Sequence, residues 1–122
     1  MIVKNVKSCL LVEDDPEDQE LFLDALHSIT NDCGCYAVSN GEEALFTLAN
    51  GNFFPDIIFT DIQMPRMGGL EFLKVLKGIE KFQNIPVIIY TADFSEENIQ
   101  KSKELGAIAI FSKTRLETLS IS

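Results

Sequence analysis

Asp56-Ile57-Ile58-Phe59-Thr60-Asp61 places two aspartates around a short run that is apolar on both faces. A strand with one face in water alternates apolar and polar residues; a strand covered by helices on both sides does not. This run therefore reads as a central strand of a parallel sheet. The same pattern recurs outward from it. Ser8-Cys9-Leu10-Leu11-Val12-Glu13 and Cys35-Tyr36-Ala37-Val38-Ser39 precede it, and Pro86-Val87-Ile88-Ile89-Tyr90-Thr91 and Ala107-Ile108-Ala109-Ile110-Phe111-Ser112 follow. Between these runs the period changes to that of a helix. Asp15-Pro16-Glu17-Asp18 opens the first helix, an N-cap carboxylate with proline at the first helical position, and Leu21, Phe22, Ala25, Leu26 and Ile29 form its apolar stripe. Asn40-Gly41 leads into a helix presenting Ala44, Leu45 and Leu48. The loop from Ile62 to Gly69 leads into one carrying Leu70, Leu73, Leu76 and Ile79. Ser95 caps a fourth helix, ended by Gly106 at its C′ position, and residues 115–122 leave room for at most two turns of a fifth.

Strict alternation of strand and helix implies parallel pairing through right-handed crossovers. The predicted architecture is an α/β domain with helices on both faces of a five-stranded parallel sheet. At 122 residues the chain is long enough for one core and too short for two, so a single domain over 1–122, with no effector domain, is expected. With 46% hydrophobic and 24% charged residues the composition is globular. No apolar run approaches the roughly 18 residues of a membrane span, and the N-terminus lacks the cleavage site of a secretion signal; a cytoplasmic location is expected. The net charge of −9 disfavours nucleic acid and anionic lipid as direct partners and favours cations. Cys9, Cys33 and Cys35 lack the two-residue spacing of zinc or redox pairs and read as reduced structural thiols. His27, away from the sheet rim, reads as a surface or partly buried residue.

In a parallel sheet all downstream strand ends open onto one rim. Glu13 with Asp14, Asp61, Thr91 and Lys113 each follow a different strand, so residues distant in sequence meet there. Three carboxylates in a small volume repel one another unless a cation is bound. All-oxygen ligands without histidine or thiolate favour Mg2+ over zinc. Asp61, on the central strand between the acidic pair and Thr91 with Lys113, is the candidate nucleophile, a carboxylate able to form an aspartyl phosphate. Mg2+, the Lys113 ammonium and the Thr91 hydroxyl would stabilise the transferring phosphoryl group. Asp56 lies roughly 16 Å away at the opposite end of its strand.

Leu10-Leu11-Val12-Glu13-Asp14-Asp15-Pro16, Asp61-Ile62-Gln63-Met64-Pro65 with Gly69, Thr91-Ala92 and Lys113, taken together and in order, resemble the receiver domains of bacterial two-component response regulators. The resemblance spans the chain. It implies the CheY-like strand order 2-1-3-4-5 and Asp61 as phosphoacceptor from a histidine kinase or histidine phosphotransfer protein. It also implies Mg2+ held by Asp14, Asp61 and the Gln63 backbone carbonyl, with Glu13 acting through a water. Thr91 becomes the hydroxyl that moves toward the phosphoryl group, and Lys113 its ion-pair partner. A downstream protein target is implied, with a homodimer as one candidate assembly, because family members use the face built by the fourth helix, fifth strand and fifth helix. Three positions depart from the family: Ile110 stands where the switch aromatic is usual, with Phe111 beside it, Thr114 stands where proline follows the lysine, and Gly68 replaces a loop acid.

Three other readings compete. A haloacid-dehalogenase-type phosphatase needs a second aspartate two residues after its nucleophile, where Gln63 stands, and glutamine cannot exchange protons. A flavodoxin-like cofactor site needs hydroxyls and glycine around phosphate in the first turn, which here is Glu13-Asp14-Asp15-Pro16-Glu17-Asp18. The third is a phosphorylation-independent receiver acting as a protein-interaction module, a reading to which Ile110 and Thr114 lend weight.

Overall fold

The structure is a computed structural model that describes residues 6–113. Within it five strands alternate with four helices: β1 (Ser8–Val12), α1 (Pro16–Ile29), β2 (Gly34–Val38), α2 (Gly41–Ala49), β3 (Ile57–Thr60), α3 (Gly69–Lys77), β4 (Val87–Thr91), α4 (Glu96–Glu104) and β5 (Ala109–Ser112). All neighbouring strands pair in parallel in the order β2-β1-β3-β4-β5. This is the CheY-like doubly wound α/β fold, with its reversal of strand order between β1 and β3, where ligand crevices form in open sheets.

The central strands are apolar on both faces because two cores need them. On β1, Leu10 and Val12 join Ala44 and Leu48 of α2 and Phe72, Leu73 and Leu76 of α3, while Cys9 and Leu11 join Phe22 and Leu26 of α1. On β3, Ile58 serves the first core and Ile57 and Phe59 the second. Each fully buried Leu, Ile or Phe contributes about 1.5–3 kcal/mol relative to exposure.

Local chemistry sets the helix starts. The Asp15 carboxylate accepts from Glu17 N–H at 2.9 Å, Asn40 from Glu43 N–H at 3.0 Å and Ser95 Oγ from Asn98 N–H at 3.2 Å. Such caps are worth about 1 kcal/mol each. Gly106, with φ +99°, follows the end of α4 in the left-handed region that favours glycine. Asp56 lies at the opposite end of the strands, just before β3, its Oδ2 accepting from the N–H groups of Lys7 and Ser8.

Several boundaries differ from expectation. β2 starts and ends one residue early, over Gly34–Val38, and as the sheet's edge it keeps Gly34 and Tyr36 exposed. β5 starts at Ala109 because the Ala107 N–H still closes the turn after α4, donating to Ser102 O at 2.9 Å. α3 stops at Lys77, and Ile79 reaches the core from the following turn. The α1 stripe is narrower than its periodicity suggests: Phe22, Ala25 and Leu26 are buried, and Ile29 is exposed. His27 lies exposed in the last turn of α1. The final helix expected over 115–122, and Thr114, fall outside the described residues.

Cys9 and Cys33 are buried, Cys35 half-buried, and all three are free. The adjacent Cys35 thiol and burial push Cys9 far above the usual thiol range, and burial pushes Cys33 up. Thiolate formation is thereby suppressed, as in structural cysteines. No helix among the described residues is long and apolar enough to cross a membrane.

Candidate functional site

Register carries the acidic residues into one another's reach. Val12 pairs with Thr60 across β1 and β3, so the next residues, Glu13 and Asp61, leave the sheet side by side. The ladder continues past the strand ends: Asp61 N–H donates to Val12 O at 3.0 Å and Glu13 N–H to Val38 O at 2.9 Å. One carboxylate oxygen from each of Glu13, Asp14 and Asp61 lies within 4.8 Å of the others. Glu13 is fully buried, Asp61 nearly so, and Asp14 is exposed.

Lys113 arrives directly after β5. Its Nζ lies 2.8 Å from Glu13 Oε1, 2.9 Å from Asp61 Oδ2 and 2.7 Å from Asp18 Oδ2, and 5.3 Å from the centre of the Tyr90 ring. Glu13 is held at both oxygens. Tyr90 Oη donates to Oε1 at 2.8 Å and Asp15 N–H to Oε2 at 2.9 Å. The second oxygen of Asp61, Oδ1, accepts from Ile62 N–H at 2.7 Å.

Burial pushes the Glu13 carboxyl above its ordinary range, only partly opposed by the donors on Lys113, Asp15 and Tyr90; the charge of Asp61 adds the smallest push. Desolvation, more than mutual repulsion, therefore governs Glu13, because Lys113 stands against both carboxylates. Burial alone would lower Lys113, yet its bonds to Asp18, Glu13 and Asp61 outweigh that and push it above the usual ammonium range. Among the described residues, three carboxylates contact this one ammonium, and Asp14 joins two of them in the acidic cluster, so the surplus negative charge attracts a dication.

A pH dependence follows. The folded-state value for Glu13 lies above its ordinary 4.5, so the folded protein holds the proton more tightly than the unfolded chain. This contribution to stability is present at low pH and lost as pH rises past that ordinary value. In metal-free buffer, urea denaturation is expected to show Glu13→Gln gaining stability relative to wild type between pH 4 and pH 7. A difference that stays constant with pH would contradict it.

Thr91 is buried on the rim, where its Oγ1 accepts from Asp93 N–H at 3.1 Å. Gln63 is exposed in the loop two residues past Asp61. The structure thus brings together Glu13, Asp14, Asp61 and Lys113, while the hydrogen bond made by Thr91 runs within its own loop. Ile110 is partly buried against the core shared by α2 and α3, and Phe111 is exposed. Two residues went unnoticed at the sequence level. Asp18 lies in the first turn of α1, within an acidic run that reads as a helix start, so no spacing singled it out. Tyr90 is the one residue with a polar tip in the otherwise aliphatic Val87-Ile88-Ile89 run, a weak signal.

A doubly wound parallel sheet, an acidic cluster at its topological switch point and a lysine directly after β5 are the arrangement of a signalling receiver domain. The chain belongs to the response regulator receiver domain family of two-component signalling, whose sequence profile matches residues 9–120. It is 36% identical over 107 residues to the polar-differentiation response regulator DivK of Brucella ovis, covering 88% of this chain and 84% of that protein. It is 41% identical over 78 residues to the sporulation initiation phosphotransferase F of Bacillus subtilis (strain 168), covering 64% of this chain and 60% of that protein. The match thus spans less than two thirds of the latter relative. The phosphorylated cyanobacterial phytochrome response regulator RcpA shares the fold with a TM-score of 0.84 at 26% identity, covering 93% of this chain and 88% of that chain.

Proposed function

We propose that this protein is a phosphorylation switch in which Asp61 accepts a phosphoryl group from the phosphohistidine of a histidine kinase or histidine phosphotransfer protein. The observation that carries this reading is the convergence of the Glu13, Asp14 and Asp61 carboxylates within 4.8 Å, with Lys113 Nζ 2.9 Å from Asp61 Oδ2. An Asp61 oxygen attacks phosphorus, the bond from phosphorus to the imidazole nitrogen breaks, and the imidazole keeps the electron pair and takes a proton from water. Lys113 then pairs with the new phosphoryl group from its place beside Asp61. Thr91 turns its hydroxyl toward the phosphoryl oxygens.

The donor set suits Mg2+: its clustered ligands are carboxylate oxygens. Asp14, Asp61 and the Gln63 backbone carbonyl would hold the ion, with Glu13 acting through a water. The commitment of both Glu13 oxygens to Lys113, Tyr90 and Asp15 supports that indirect role. When bound, the ion supplies positive charge to the phosphoryl oxygens. With Gln63 two residues after Asp61, where a dehalogenase-type phosphatase needs an acid/base aspartate, turnover of free phosphomonoesters is expected to be negligible. The phosphorylated form would act by binding a downstream protein.

Incubation with acetyl phosphate and Mg2+, followed by intact-mass measurement, tests this. A single phosphoryl adduct is expected on wild type. Its absence would leave the phosphorylation-independent interaction module as the better account.

A further inference from the structure

Tyr90 sits on β4 immediately before Thr91, fully inside the α1 side of the sheet, where its ring stacks near Phe22 at 5.4 Å between centroids. From this apolar setting its hydroxyl reaches Glu13 across the width of β3. It donates at 2.8 Å to Oε1, the same oxygen that Lys113 Nζ contacts at 2.8 Å. The Asp15 N–H occupies Oε2. A fully buried carboxylate is costly without donors, so this three-point hold decides where Glu13 points. The Tyr90 ring also faces Lys113 Nζ at 5.3 Å. One side chain on β4 therefore touches both the acid from β1 and the base from β5.

We infer that Tyr90 is a positioning residue for the divalent-cation site: its hydroxyl holds Glu13 back from the ion and in the orientation that lets Glu13 serve through a water. The inference rests on the cation-dependent phosphoacceptor reading and adds a residue to it. The ring is anchored by Phe22, itself 4.7 Å from Phe59, so the hydroxyl has little freedom to follow Glu13 elsewhere. Residues that orient a metal site from behind its ligands typically change affinity by about tenfold or more when removed.

Tyr90→Phe removes the hydroxyl and keeps the ring, its packing and its contact with Lys113. Mn2+ binding, read by electron paramagnetic resonance, is expected to weaken by about tenfold. The Mg2+ concentration for half-maximal phosphorylation by acetyl phosphate should rise by the same factor, with the rate at saturating Mg2+ unchanged. In a Glu13→Gln background, adding Tyr90→Phe should produce no further loss, because the hydroxyl acts through Glu13. Unchanged Mn2+ affinity in Tyr90→Phe, or full additivity with Glu13→Gln, would overturn the inference while leaving the phosphoacceptor reading intact. Wild-type protein that binds no Mn2+ would overturn the reading on which it rests.

Discussion

Asp61→Asn is expected to abolish the phosphoryl adduct formed with acetyl phosphate and Mg2+, while the protein stays folded. The amide has no anionic oxygen to attack phosphorus, so adduct should fall to background. The fold survives because Asn can keep its oxygen on the Ile62 N–H, which Asp61 Oδ1 contacts at 2.7 Å. Lys113 loses one of three carboxylate partners and keeps Glu13 and Asp18 at 2.8 and 2.7 Å. Intact mass reads the adduct and thermal unfolding reads the fold. An adduct persisting on folded Asp61→Asn would move the acceptor to a neighbouring carboxylate and remove the central assignment.

Gly69→Ala is expected to cost about 3 kcal/mol or more of stability. A Cβ on Gly69 would stand 1.8 Å from the Asp61 carbonyl oxygen, 2.8 Å from its carbon and 3.1 Å from Ile62 Cα. All three are backbone atoms at the end of β3 and cannot swing aside as a flexible side chain would. Relief requires moving the start of α3 off the strand, which also strains the 2.8 Å bond from Gly69 N–H to Ile62 O. The backbone that the new Cβ would press on is that of Asp61 itself, so phosphorylation should fail together with folding. Gly78→Ala is the comparison, since that residue sits at φ −85° with Val75 O at 3.4 Å as the nearest atom, and its cost should be within about 1 kcal/mol. Equal urea midpoints for the two variants would show that α3 has room to retreat.

Fold and site were legible to different depths. Helix starts, and the end of α4, were readable because capping is local: Asp15, Ser95 and Gly106 act within a few residues of themselves. The double-sided apolar run at 57–59 announced a central strand. Edges were harder, since β2 carries the same residue types while half exposed, and Ala107-Ile108 resembles a strand while closing the turn after α4. The strand order rested on family resemblance, because periodicity says which residues pair with a sheet but not which strand lies next to which.

The sequence by itself determined the alternation of strands and helices and the placing of Glu13, Asp61, Thr91 and Lys113 at successive strand ends, since hydrophobic period and turn chemistry are properties of neighbouring residues. Tertiary structure alone decided what those ends do to one another. The Val12 to Thr60 register sets Glu13 beside Asp61. Lys113 is shared among Glu13, Asp61 and Asp18, and a tyrosine 77 residues from Glu13 supplies one of its hydrogen bonds. Such contacts depend on distances of a few ångströms between residues far apart in the chain, and only the packed sheet sets those distances.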